Sequence, residues 1–526
     1  MKPAVIVADV LVIGGGQAAL RASIEARRQG AKVVMVSKGQ IGTGGSSAIS
    51  DTVHSAILAP GDSAEIFYQD IVKGGKQVNK PELALALATD CTERVQELQQ
   101  EFGVQLHFER ELVTPGHSFP RRCYHKSGLG VSITRKLREY AEKIGVIFYE
   151  KTWIVDLLSD RGRMNPDGIS GEGSAVAKGR ILGAIGISSD EWMLFIAGNT
   201  ILAAGGIGRI YAHSDNPIDI TGEAIGMAWR HGAELQDMEF IQFYPYRLIS
   251  PINIDLYTKL FAKGAVMRNE QGTRFLEGYP RKELETRDIV CYEMFKQGRV
   301  LLDISQVSDQ DLKETSPRLH ALLAKEYQGE LVVQPVEHYS IGGISIDASG
   351  RTGLPGLYAC GECTGGVHGA NRLGGGALTE ALVFGTRAGF AAVTEATTLE
   401  EGMVREVVRE FVPSESPRSL LNPETKALML AVRKHVQEIM WNQVGIERSL
   451  QGLEQAYTVL SKIAQKVRHH LPLLNMVQTA SIVARSAYVR QESRGAHQVI
   501  DFPGERDEWR GNLIVHGEEL TFRSLS

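Results

Sequence analysis

Cysteine is scarce in this 526-residue sequence, which has five, at Cys91, Cys123, Cys291, Cys360 and Cys363. So few cysteines in so long a chain argue against a disulfide framework. Cys360 and Cys363 form a Cys-x-x-Cys pair, but no second pair is present to complete a zinc site. We therefore expect neither disulfides nor a bound metal in this protein.

Long hydrophobic runs and a strong charge of either sign are also missing. No stretch of about 18 apolar residues appears, so direct insertion into a bilayer is not expected. A net charge of -5 gives no electrostatic reason to bind nucleic acid or an anionic membrane. The chain runs from Met1 directly into an apolar stretch, without the pattern of a secretory signal. These absences predict a cytoplasmic protein.

Glycine and apolar residues, by contrast, are plentiful: the chain has 56 glycines and is 43% hydrophobic. A single hydrophobic core stops growing at roughly 250–300 residues, so a chain of this length should form more than one domain. The one biased segment, 159–179, is polar and glycine-rich and predicts an exposed loop.

The N-terminal segment predicts a βαβ unit of an α/β fold. Residues 9–13 form a short apolar, β-branched run that is typical of a buried parallel strand. A helical pattern follows over 18–29, and Gly30 stands where a helix C-terminus favours glycine. A second apolar strand at 32–36 completes the unit.

The turn between the first strand and the helix has the spacing Gly14-x-Gly16-x-x-Ala19. Gly14 permits a tight turn, Gly16 lets the backbone approach a pyrophosphate, and small Ala19 allows close helix–strand packing. The second strand ends in Ser37-Lys38, where an NAD-binding unit would carry an acidic residue for the ribose. The unit therefore predicts a dinucleotide site and argues against NAD.

Two later strands also run into glycine turns. One is "NTILAAGGIGRIY" at 199–211, which contains Ala204 and Gly205, and the other is "GLPGLYACGECTGG" at 353–366, which contains Glu362. Three strand-to-glycine turns spread over 360 residues fit one extended dinucleotide, FAD, lying across a sheet.

Several segments resemble the flavoprotein subunits of succinate dehydrogenase and fumarate reductase, and L-aspartate oxidase. They are "VSKG" (36–39), "AAGGIGRIY" (203–211), "TGEAIGMAWRHGAELQDMEFIQFYP" (221–245), "HYSIGGISID" (338–347), "GLYACGECTGGVHGANRLGGGALTEALVFG" (356–385) and "RQESRGAHQVIDFP" (490–503). The resemblance implies a glutathione-reductase-like Rossmann FAD-binding domain (1–235 and 335–398), an inserted α+β capping domain (236–334) and a C-terminal helical domain (410–526).

The resemblance also implies site residues. Those matching FAD contacts are Gly14, Gly16, Ala19, Ser37, Lys38, Gly44, Ser46, Ala204, Gly205, Glu223, Glu362, Ala377 and Leu378, with Glu223 in place of the usual Asp and Ala377 in place of the usual Ser. His338 and Arg372 match the pair that holds a substrate carboxylate. That role suits the two-pronged donor of arginine and the switchable charge of histidine.

Four departures from the family pattern affect the expected chemistry. The histidine that binds flavin covalently is replaced by Gly45, which implies noncovalent FAD. Tyr244 replaces a histidine and becomes an expected neutral hydrogen-bond donor. The family's proton-transfer arginine aligns with Phe261, so Lys263 or Arg247 is left as a candidate acid or base. Aspartate oxidases carry a Glu for the substrate ammonium where this chain has Thr114.

The sequence therefore predicts an FAD-dependent oxidoreductase that transfers a hydride between flavin N5 and a small carboxylate substrate, neither succinate nor aspartate, with Arg372, His338, Tyr244 and Lys263 as catalytic residues. Three alternatives stay open: a genuine fumarate reductase or succinate dehydrogenase flavoprotein subunit, an L-aspartate oxidase-like enzyme, and an FAD electron-transfer subunit without its own substrate. An iron–sulfur partner subunit and an oligomer are both compatible with the resemblance.

Overall fold

The computed structural model describes residues 3–160, 179–325, 327–395, 399, 401–411 and 416–525. Most of the glycine-rich segment predicted to be an exposed loop, 161–178, lies outside the described residues.

The strands are β1 (Ala4–Ile13), β2 (Val33–Val36), β3 (His54–Ser55), β4 (Leu106–Phe108), β5 (Arg122–His125), β6 (Ile147–Tyr149), β7 (Trp153–Ser159), β8 (Ile181–Ser188), β9 (Glu191–Leu202), β10 (Leu235–Gln236), β11 (Ile241–Ser250), β12 (Ile254–Asp255), β13 (Val266–Asn269), β14 (Val300–Asp303), β15 (Val332–Ser340), β16 (Gly343–Ser345), β17 (Leu357–Ala359), β18 (Thr364–Gly365), β19 (Glu447–Arg448), β20 (Gln498–Val499), β21 (Gly511–His516) and β22 (Glu519–Ser524).

The α-helices are α1 (Gln17–Arg28), α2 (Ser46–Ile49), α3 (Ala64–Gly74), α4 (Pro81–Gln100), α5 (Val131–Lys143), α6 (Glu223–Arg230), α7 (Thr258–Ala262), α8 (Arg287–Gln297), α9 (Asp309–Thr315), α10 (Pro317–Leu323), α11 (Gly376–Thr394), α12 (Glu401–Glu410), α13 (Pro417–Leu421), α14 (Pro423–Gln443), α15 (Leu450–Lys466) and α16 (Leu471–Val489). Short 3₁₀ helices span Gly208–Ile210, Lys282–Leu284 and Asp507–Trp509.

The main sheet has the order β6-β2-β1-β9-β8-β7, and β17 pairs with β9. Strands β6, β2, β1, β9 and β17 are parallel, which places their carboxyl ends at one edge of the sheet. The last four residues of β1 and all of β2 are buried, as expected for strands covered on both faces. The predicted βαβ unit is confirmed as β1–α1–β2.

Strand β9 is completed by segments far apart in the chain. One of its edges pairs with β1 along 193–202. The other pairs with β8 at 191–196 and with β17 at 200–202. Helix α11 packs on α1 so closely that a Cβ on Gly389 would lie 2.4 Å from the Ala22 carbonyl oxygen. The dinucleotide half of the fold therefore needs residues from both ends of a 390-residue span.

A second sheet, with the order β12-β11-β15-β14-β13, lies in the region predicted to be the capping domain. It is antiparallel and has its own core, which includes Tyr246, Leu260 and Phe261. Helix α8 packs on β11. Strand β15 crosses the boundary proposed between 334 and 335, because its pairing with β11 continues to Ser340.

The C-terminal region combines helices α14, α15 and α16 with a final hairpin, β21–β22. This hairpin joins the sheet of order β18-β16-β10-β21-β22, so the region is not purely helical and is tied to the rest of the chain through β10. Among the described residues, no helix is long and apolar enough to cross a membrane.

Candidate active site

A large cavity opens along the carboxyl ends of the parallel strands. It is lined by the turn after β1 (13–18), the end of β2 (36–40), the turn after β9 (203–205) and the turn after β17 (360–362). The start of α11 and the loop before α2 complete this wall. The three glycine turns singled out in the sequence therefore face one shared space.

The turn after β1 is shaped to receive a phosphate-bearing ligand. Gly14 has a φ of 142°, and a Cβ there would lie 2.1 Å from the Ala203 carbonyl oxygen, so only glycine fits. Helix α1 begins after Gly16 without a side-chain cap and without an acidic residue in its first turn. Gln17 N–H donates to Ser47 Oγ at 3.2 Å, and the remaining first-turn N–H groups with the positive dipole end can receive an anion. These residues fit the pyrophosphate of a dinucleotide.

The structure brings most of the predicted residues to this cavity. Those lining it are Gly14, Gly16, Ser37, Lys38, Gly44, Ser46, Ala204, Gly205, Glu223, Glu362, Ala377 and Leu378 from the cofactor set, and Tyr244, His338 and Arg372 from the catalytic set. Ala19 is fully buried and not part of the lining, so the structure does not place it as an FAD contact and agrees only with the packing role proposed for it. Lys38 and Glu223 form an ion pair of 2.8 Å across the cavity wall.

One part of the cavity is walled by a group of charged and aromatic residues that we call the polar cluster: Asp215, Tyr244, Arg287, His338 and Arg372. Arg372 is 4% exposed, and its Nε has no hydrogen-bond partner among the described residues. Burial and the nearby charge of Arg287 lower the pKa of Arg372 to about 10. Within the described part of the chain, neither arginine forms an ion pair with a carboxylate. Two cations therefore face the cavity without a direct carboxylate partner among the described residues, which suits an anionic ligand.

His338 reaches the polar cluster from β15, and its Nδ1 lies 2.7 Å from Asp215 Oδ2. Burial lowers the pKa of His338 below its usual range, and the charge of Asp215 opposes this shift. Burial therefore favours the neutral imidazole. The bond to Asp215 fixes the ring and leaves Nε2 for a ligand.

Tyr244 lines the cavity with its ring rather than with a free hydroxyl. Its hydroxyl donates to the Leu256 carbonyl oxygen at 2.5 Å, and burial raises its pKa well above the usual value. The ring lies 5.0 Å from the His338 ring and 5.1 Å from the Arg287 guanidinium carbon. Because this bond occupies the hydroxyl, the structure does not support the expectation that Tyr244 donates a hydrogen bond to substrate.

The two expected replacements for a proton-transfer arginine do not reach the cavity. Lys263 follows α7 at the surface, where its ammonium pairs with Asp311 at 3.0 Å, so the structure does not support it as a catalytic residue. Arg247 pairs with Asp255 at 2.7 Å and is not part of the lining. Phe261 packs against Tyr246 in the core of the second sheet, with ring centroids 4.3 Å apart. Phe261, the position that aligns with the family's proton-transfer arginine, therefore does not face the cavity.

Arg287 is, with Asp215, one of the two members of the polar cluster that sequence reasoning missed. It is the first residue of α8, after Thr286, and the packing of α8 on β11 directs it into the polar cluster. A cation in the first turn of a helix opposes the helix dipole. The sequence therefore does contain a signal for Arg287: a basic residue at a helix start is unfavourable, and it can be noticed once the start of α8 is recognised.

Comparison with known proteins agrees with this geometry. Residues 9–378 match the family model described as FAD binding domain, and 462–524 match fumarate reductase flavoprotein C-term. The chain is 32% identical to a subunit of the fumarate reductase (CoM/CoB) of Methanothermobacter marburgensis, over 97% of each chain. It is 30% identical to L-aspartate oxidase of Pseudomonas aeruginosa, over 96% of this chain and 98% of the relative.

A solved structure shows the same fold. Quinol fumarate reductase FrdA of E. coli superposes with a TM-score of 0.85 at 23% identity, over 99% of this chain and 97% of that chain. The predicted fold class is confirmed, and so is FAD as the cofactor. The chain belongs to the family of FAD-dependent oxidoreductases that includes the fumarate reductase and succinate dehydrogenase flavoproteins and L-aspartate oxidase.

Proposed function

We propose that this protein interconverts a small unsaturated carboxylate and its saturated form, with a dicarboxylate of the fumarate and succinate type as substrate. The observation that carries the proposal is the pair of guanidinium groups, Arg287 and Arg372, that face one cavity without a carboxylate partner among the described residues. The relative that is 32% identical over nearly the whole chain is named as a fumarate reductase subunit, which supports this substrate class.

The turns after β1, β9 and β17 and the start of α11 would hold the FAD. Bound FAD supplies the hydride acceptor or donor for the reaction. The chain itself must then bind the substrate, orient it and move one proton. The residues of the polar cluster suit these three tasks.

Arg372 and His338 would anchor a substrate carboxylate. The free Nε of Arg372 points to an unfilled donor position, and a carboxylate can accept two parallel bonds from a guanidinium. Burial favours the neutral form of His338, and an arriving carboxylate would favour its protonated form. Asp215 would hold the resulting imidazolium at Nδ1, so that Nε2 can donate to the substrate.

Arg287 would transfer the proton to or from the substrate carbon. Its guanidinium lies in the cavity, against the Tyr244 ring, and its Nη1 donates to Gln242 at 2.9 Å. These contacts fix its direction and leave other N–H groups for the ligand, since a guanidinium carries five. Arg287 in this place is a candidate acid, which supports fumarate chemistry although Phe261 stands at the position of the family's arginine.

Oxidation of an amino acid is the second candidate. The relative that is 30% identical is named as an L-aspartate oxidase, and the carboxylates of Asp215 and Asp255 line the cavity, where they could meet an ammonium group. Against it, Asp215 is already bonded to His338, and Asp255 is paired with Arg247.

An electron-transfer partner follows from the same proposal. The fumarate reductase relative is named as one subunit of its enzyme, which indicates an assembly of several different chains. We extend this to the present chain and propose an iron–sulfur subunit as the partner that exchanges electrons with the flavin.

The function is tested anaerobically with the purified FAD-loaded protein. Reduced benzyl viologen should be oxidised when fumarate is added, and fumarate and succinate should each shift the absorbance of the bound flavin. A protein whose flavin responds to none of a panel of dicarboxylates and amino acids has no such substrate, and the proposal fails. Bleaching by aspartate alone would select the second candidate.

We also propose that the FAD is noncovalent. Gly45 has no nucleophile, and its φ of 76° lies in the region that favours glycine, so no flavin-linking side chain stands at this position. After acid precipitation of the protein, essentially all flavin should be found in the supernatant by its absorbance and fluorescence. Flavin that remains in the washed pellet would show a covalent link from another residue.

A further inference from the structure

Gln242 joins the two arginines of the polar cluster through one side-chain amide. This residue of β11 is 1% exposed and is not part of the cavity lining. Its Nε2 donates to the Arg372 carbonyl oxygen at 2.8 Å and to Asn371 Oδ1 at 2.9 Å. Its Oε1 accepts from Arg287 Nη1 at 2.9 Å.

These three bonds leave the amide only one orientation. Both N–H groups of Gln242 are used on the segment that carries Arg372, and the oxygen is used on Arg287. Turning the amide over would place an N–H group against the guanidinium and an oxygen against a carbonyl oxygen. A glutamine supplies a donor and an acceptor on one rigid plane, as this site needs, and a carboxylate does not.

Two like charges in a buried cavity repel each other, so something must hold them in place. Arg287 comes from α8 and Arg372 from the loop before α11, and both elements come after β11 in the chain, about 85 residues apart. The usual partner of a buried arginine is a carboxylate, which would neutralise the charge that the ligand needs. Here the contacts are neutral: the Gln242 amide, the Tyr244 ring for Arg287 and the Tyr339 ring, 4.4 Å from the guanidinium carbon, for Arg372.

We propose that Gln242 is a positioning residue that sets the spacing of the two guanidinium groups while leaving both fully charged. The inference rests on the proposed function, in which Arg372 anchors the substrate and Arg287 moves the proton. Because a misplacement of about 1 Å can cost about 10²-fold in rate, loss of this link should lower turnover strongly without contact to the substrate.

The test is Gln242→Glu in the FAD-loaded protein. The charged residues that contact position 242 in the described part of the chain are Arg287 and Arg372, so an ionised glutamate would pair with Arg287. We expect kcat for fumarate reduction to fall about 100-fold near pH 7. As the pH falls and the glutamate is protonated, it regains a donor and a neutral acceptor, and kcat relative to the unmodified protein should recover.

Gln242→Met is the companion variant, because it removes all three bonds and introduces no titratable group. Its kcat should fall to a similar extent and should not recover at low pH. If the glutamate variant fails to retain FAD, the methionine variant tests the proposal by itself. Gln334→Glu makes the same chemical change on the neighbouring strand β15, outside the cavity lining, and should behave as the unmodified protein does.

The outcomes separate this inference from the proposed function. If either Gln242 variant keeps kcat within threefold of the unmodified protein at every pH, the positioning role is overturned, whereas carboxylate binding that depends on Arg372 would still support the function. If the unmodified protein itself neither binds nor turns over carboxylates, the proposed function has failed and the inference fails with it.

Discussion

Replacing Arg287 with alanine should lower kcat for fumarate reduction by about 10²–10⁴-fold, the range in which a positioned acid or base contributes to rate. The reason is its place: it lies in the cavity, held against the Tyr244 ring and Gln242, while Lys263 and Phe261 lie elsewhere. FAD should remain bound, because Arg287 comes from α8 and not from the strand ends that form the dinucleotide site.

The measurement is steady-state viologen oxidation, together with the flavin absorbance of each variant. Arg299→Ala is the matched control, since this arginine of the same region is exposed and pairs with Glu330 on the surface. Arg287→Lys keeps a charge and loses the planar fork, and should retain only part of the activity. Turnover of Arg287→Ala within threefold of the unmodified protein would mean that another group moves the proton.

Replacing Arg372 with alanine should abolish the absorbance shifts that carboxylates produce in the bound flavin. Removing one partner of a buried, charge-assisted contact costs about 2–5 kcal/mol, which corresponds to roughly 30-fold to several thousand-fold weaker binding. The side chain is buried at the cavity wall with its Nε unpaired among the described residues, so a ligand carboxylate is the partner it lacks.

The shifts are measured by titrating the oxidised protein with fumarate and with succinate. Arg351→Ala is the control, because this arginine is half-buried and bonds to Asp347 and Glu395 outside the cavity. Shifts of normal size and affinity in Arg372→Ala would show that the carboxylate anchor lies elsewhere. The two substitutions should also have different kinetic effects. Loss of Arg372 should mainly weaken substrate binding, and loss of Arg287 should mainly lower kcat.

The dinucleotide half of the site could be predicted from sequence because its signals are local. A β-branched strand, a glycine turn and a helix are contiguous at 9–29, and Gly14 is required by the backbone itself. The same strand-to-glycine pattern recurs at 199–206 and 356–362. Since the carboxyl ends of parallel strands meet at one edge of a sheet, the three turns could be placed together without knowledge of the fold.

The catalytic half could not be predicted in the same way, because its geometry depends on packing between distant segments. Arg287 enters the cavity only because α8 packs on β11, which lies well before it in the chain. The hydroxyl of Tyr244 is unavailable because the chain returns at β12 and places the Leu256 carbonyl beside it. Spacing alone aligns Phe261 with the site, and its burial in the core of the second sheet could not be read from that spacing.

One edge of β9 pairs with β8 at 191–196 and with β17 at 200–202, and this arrangement has a consequence for synthesis of the protein. A ribosome that has released the first 202 residues has produced β1, β2 and β9, but the edge of β9 at 200–202 that faces away from β1 stays unpaired until β17 emerges about 155 residues later. Such an exposed strand edge invites pairing with other chains. The turn after β17 and the start of α11 also line the cofactor cavity, so the FAD site is complete only after these residues have been synthesised.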